Sequence, residues 1–169
     1  QTLKVHVEIG EAKTDIEGTP EEVIRALHQF MSNVYPAFTL VKRLTLTVDL
    51  ERLLTSLEGI IAFTPEGTVA LIPKEKLAQL SLWELILLNL TKAFAGHSLG
   101  KSSKDSLSVD ELLAAIGGRI GAMAGRLSEM VDGEMVARIG RGEYKVTTLG
   151  LKQFQDNVIP KLKQLMKGA

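Results

Sequence analysis

The run Leu82, Trp83, Leu85, Ile86, Leu87, Leu88, Leu90, Ala93, Phe94 does most to decide what this chain can fold into. It is apolar on every side of a helix, so it has to be surrounded by the rest of the molecule. Glu84, Asn89, Thr91 and Lys92 interrupt it, and it falls short of the roughly 20 apolar residues of a membrane span. A buried central helix is expected, with no membrane association. Ser81 and Glu84 supply its capping box.

The elements on either side follow from local patterns. Leu3, Val5, Val7 and Ile9 alternate with polar residues, and a weaker alternation of Ala12, Thr14 and Ile16 follows Gly10-Glu11, which predicts a hairpin. His6 falls on its polar face. Thr19, Pro20 and Glu22 open a helix whose apolar positions run from Val23 to Val34, and Tyr35-Pro36 breaks it. Residues 37–46 fit either period. Asp49 caps a short helix that ends at Gly59, and a second hairpin turns at Pro65-Glu66-Gly67. Gly96 to Ser106 reads as a loop, and Ser108 with Glu111 caps another short helix.

Composition narrows the chemistry. Twenty Lys and Arg balance 20 Asp and Glu in 169 residues, which excludes a histone-like basic protein. No Cys is present, so disulfides, zinc fingers, iron–sulfur clusters and cysteine nucleophiles drop out. His6, His28 and His97 are too scattered to suggest a histidine metal site. No secretion signal is read, and a cytoplasmic location is expected.

Two enzyme motifs overlap at residues 95–102. Gly96-His97-Ser98-Leu99-Gly100 matches G-x-S-x-G, but that elbow needs a preceding strand and a later histidine, and none follows His97. Ala95 to Ser102, ending Gly100-Lys101-Ser102, approximates a P-loop, which also needs strand, loop and helix. A solvated loop between helices is the expectation; a nucleotide-binding protein is the remote alternative.

The C-terminal part carries the strongest pattern. Ser108 to Gly117 form a capped helix, Gly118-Arg119 a tight turn, and Ile120 to Val131 a second helix with Met123, Leu127 and Met130 on one face. Met135 to Ile139 and Tyr144 to Thr147 flank Gly140-Arg141-Gly142, a short hairpin. Thr148 is expected to cap a last helix with the stripe Leu151, Phe154, Val158, Leu162, Leu165, bent at Pro160. That stripe would pack on a partner or fold back on the N-terminal unit.

Residues 108–150 resemble the winged helix-turn-helix family, of the kind found in small archaeal DNA-binding or regulatory proteins. If the buried helix is the motif's first, the resemblance extends over about 90 residues. It implies an α+β chain: an N-terminal unit of β-hairpins and helices (residues 1–78), then a winged helix domain with a long final helix (79–169). It further implies a non-enzymatic transcriptional regulator without cofactor, bound to double-stranded DNA, with homodimerisation through the C-terminal helix or N-terminal domain. A winged helix used for protein–protein interaction is the alternative. Carried onto this chain, the recognition helix offers Arg119, Ala122 and Arg126, with Glu129, opposite its apolar face; the wing offers Arg138, Arg141 and Lys145. Residues 108–150 hold 5 basic and 6 acidic residues, so weak, salt-sensitive binding is expected.

Overall fold

A computed structural model describes residues 2–34 and 47–168. The Tyr35-Pro36 break and the ambiguous run 37–46 lie outside them. The chain forms two compact units, residues 1–46 and 47–169.

In the first unit, β1 (Leu3–Ile9) pairs antiparallel with β2 (Ala12–Gly18) and α1 (Pro20–Val34) packs on the hairpin. The capping box forms: Thr19 N–H donates to Glu22 at 2.8 Å, and Glu22 N–H to the Thr19 hydroxyl at 3.3 Å. Ile16 and Val23 are its buried apolar residues among those described. His6 stands opposite Asp15, its Nδ1 2.9 Å from the carboxylate, on the exposed face.

The second unit is built around the predicted central helix, α4 (Leu82–Ser98), where Ile86, Leu87, Leu88 and Leu90 are excluded from solvent. Ahead of it come α2 (Leu50–Ser56), the hairpin β3 (Ile61–Thr64) and β4 (Gly67–Ala70), and the short α3 (Lys74–Leu77). Behind it come β5 (Ser106–Ser108), α5 (Val109–Ile116), α6 (Ile120–Asp132), β6 (Val136–Gly140) and β7 (Glu143–Val146). The chain ends in a long helix made of α7 (Thr148–Gln153), a π-helical turn (Phe154–Val158) and α8 (Ile159–Lys167). The molecule is therefore mixed α and β with small antiparallel sheets, as expected.

Three features differ from the sequence reading. The division falls at 46/47 and not near 78, because Leu53, Leu57, Ile60 and Ile72 join the same core as α4 and the C-terminal helix. That helix buries Leu151, Phe154, Val158 and Leu162 in this core, so its apolar stripe is not presented to a second copy. Its cap is Thr147 and not Thr148: the Thr147 hydroxyl accepts from Gly150 N–H at 3.0 Å and donates to the Glu134 carbonyl. Just ahead of Pro160, which has no N–H to give, Ile159 N–H reaches back five residues to Phe154, and the helix widens into its π turn.

Among the described residues, no helix is long and apolar enough to cross a membrane.

Candidate nucleic-acid interface

From α4 onward the order is helix, strand, helix, helix, two-stranded hairpin, helix, and the three strands align as β5-β7-β6. Ser108 sets up the helix pair: its hydroxyl accepts from Glu111 N–H at 3.1 Å while the Glu111 carboxylate accepts from Ser108 N–H at 2.7 Å. Gly117 and Gly118 link α5 to α6 with φ of 83° and 93°, a left-handed pair that residues with a Cβ rarely adopt. Met123, Leu127 and Met130 then anchor α6 in the core.

The helical period fixes which side chains of α6 face away from that anchor. At about 100° per residue, Gly121, Gly125, Ser128 and Asp132 point opposite the buried stripe, whereas Arg126 lies only about 70° from it. All four outward residues are exposed. Arg126 donates to Glu129 at 2.5 Å, and both border a depression with Trp83, Met135 and Gln153. This corrects the sequence reading, which put Arg126 opposite the apolar face. Ala122 is exposed on the flank, and Arg119 precedes the helix as its exposed N-cap residue.

The β6–β7 hairpin is short and firmly tied. Gly142, φ 70°, makes the tip, and its carbonyl accepts from Val109 N–H at 3.0 Å. A register shift between Arg138 and Gly140 throws Ile139 outward, half exposed. Arg138 Nε donates to the Gly140 carbonyl at 3.2 Å, and Lys145 sits 3.6 Å from Asp105. Arg141 is exposed at the tip. Below it, Lys104 bridges Glu111 at 2.8 Å and Glu143 at 3.0 Å, bonds that raise the lysine pKa. The Lys104 ammonium holds Glu111 low, and the Ser106 hydroxyl with Lys104 does the same for Glu143.

Of the basic candidates, Arg119 and Arg141 thus carry no ion pair among the described residues, while Arg126, Arg138 and Lys145 are engaged locally. Flanking lysines are also internal partners: Lys152 pairs with Asp156, and Lys161 with Glu84.

The two enzyme motifs resolve into a helix end. Residues 96–98, expected in a loop, form the last turn of α4. Gly100, φ 67°, follows it; Lys101 N–H donates to the Gly96 carbonyl at 2.7 Å and Gly100 N–H to His97 at 2.9 Å, the Schellman pattern. Leu99 and Ser102 N–H also point back into the turn. These amides are occupied, and helix rather than strand leads into them, so neither a phosphate cradle nor a nucleophile elbow is formed.

Among the described residues, no cluster of three or more His, Asp or Glu could hold a metal. No family model matches the chain, and comparison with curated proteins and with solved structures finds no match.

Proposed function

We propose that the unit of residues 47–169 carries, from α4 onward, a winged helix-turn-helix that associates with double-stranded DNA without catalysis, in a regulatory role inside the cell. The observation that supports this most is the uncovered outer face of α6 beside a hairpin whose tip carries Arg141. Arg119 and Arg141 would touch phosphates, and the glycines of α6 would let its backbone approach the duplex closely. No amide side chain projects from that face, so contact is to backbone and shape more than to base edges. The full chain should bind duplex DNA at low salt with a log–log salt slope of about −2 to −3, as two or three phosphate contacts require. Arg141→Ala should reduce that slope by about 1. Absence of duplex binding at 50 mM salt or below, of the order where such contacts are strongest, overturns the reading.

A second reading, a protein-interaction surface, rests on two exposed isoleucines, Ile120 at the start of α6 and Ile139 in β6. It requires a partner whose binding is insensitive to salt and to Arg119→Ala or Arg141→Ala. A homodimer contact through the N-terminal unit belongs to this reading.

A further inference from the structure

Most described lysines that are drawn back from solvent have a strong acceptor. Lys76 donates to the Leu165 carbonyl at 2.6 Å, Lys145 faces Asp105, and Lys161 meets both oxygens of Glu84. Among the described residues, Lys92 has only the Asn89 amide oxygen, at 3.5 Å. It is half-buried on α4, and its desolvation lowers its pKa. A cation withdrawn from water with no carboxylate in ion-pair contact among the described residues is unfavourable unless something anionic joins it.

The space around Lys92 has room for such a group. A cleft of about 510 Å³ lies between the β3–β4 hairpin, α4 and the β5–α5 segment, with Lys101, Ser102 and Ser103 at its polar end. A second cleft of about 560 Å³ continues past Leu77, Leu85, Leu88 and Ile116. Asn89, Lys92 and Ala115 line both clefts, and Lys74 also lines the second. Each volume falls in the range of about 300–1,000 Å³ usual for small-molecule sites.

We propose that this groove binds a small organic anion, its phosphate or carboxylate head between Lys92 and Lys101 and its apolar arm along Leu85, Leu88 and Ile116. Lys104 adds little attraction because Glu111 and Glu143 already hold it. Glu66, at the hairpin tip, lines the first cleft and opposes the anion. Lys104 is shared between Glu111 and Glu143, so that triad keeps one net negative charge and, like Glu66, acts against the anion.

The test is a titration of the full chain with inorganic phosphate, octanoate and octyl phosphate, followed by backbone amide shifts at fixed ionic strength. Saturable shifts confined to residues 85–92, 101–103 and 115–116 are expected, with octyl phosphate or octanoate binding about tenfold or more tighter than phosphate. Lys92→Met should weaken that ligand at least about tenfold, since it removes the desolvated charge partner. Glu66→Gln should tighten it by about twofold. Lys92→Gln carries the same expectation should the methionine variant fail to fold. Shifts spread evenly over the surface lysines, no binding of either octyl compound, or unchanged affinity in the Lys92 variants would overturn the proposal.

Discussion

Gly150 shows how tightly one residue can be specified. A Cβ there would overlap the Met135 carbonyl oxygen and press on Val146, so no side chain fits at the start of the last helix. Gly150→Ala should cost about 3 kcal/mol, read as a fall in Tm or in the urea midpoint. Gly121 and Gly125 are the opposite case: nothing lies within 4 Å of a Cβ at either position. Each Gly→Ala change there should raise stability by about 1 kcal/mol while crowding the proposed binding face. If both variants melt higher and still bind duplex unchanged, α6 does not approach DNA closely. Lys92→Met should also melt higher, by about 1 kcal/mol, because it removes an unpaired, partly desolvated charge. The Arg126–Glu129 pair was legible as an i,i+3 spacing, and a lysine set in an apolar helix was the available signal for the groove. The Lys145–Asp105 contact was not, because two strands far apart in sequence create it.

Elements were legible where their signals are local. Caps at Thr19, Asp49 and Ser108 formed as spaced, since each is a bond across three residues. The end of α4 was misread because Gly96 resembles a breaker. It is instead buried against Thr68, which a Cβ would strike, and Gly100 is the residue that ends the helix. The join between α4 and α8 could not be read from spacing at all. Lys161 meets Glu84 at 2.8 and 2.9 Å, and the carboxylate also accepts from Ser81 N–H at 2.7 Å. Burial pushes the Glu84 pKa up, but Lys161 and Ser81 outweigh it, and the group is held below its ordinary value. Glu84→Gln should therefore cost about 2 kcal/mol at neutral pH, seen as a lower Tm.

At the scale of the molecule, acid should be the destabilising direction. Glu84, Glu111 and Glu143 all have lowered pKa values in the folded chain. The unfolded chain binds more protons than the folded one, so their contribution is complete above the unfolded value and lost as pH falls through the folded values. Denaturant midpoints should be flat near neutrality and drop below about pH 4.5, less steeply in Glu84→Gln. The location of the division was not legible, because whether residues 47–72 join one core or another depends on contacts formed only after folding. The order of two short helices followed by a hairpin was legible, being local. The hydrogen bond from Val109 N–H to Gly142, with Lys104 spanning Glu111 and Glu143 beneath it, joins α5 to the β6–β7 hairpin. Helix and hairpin are thus directly linked, and Glu111 and Ala115 of α5 line the proposed Lys92 groove. A groove ligand that tilted α5 would carry the hairpin tip with it, and by thermodynamic reciprocity anything then bound at Arg141 would change the affinity of the groove by the same factor.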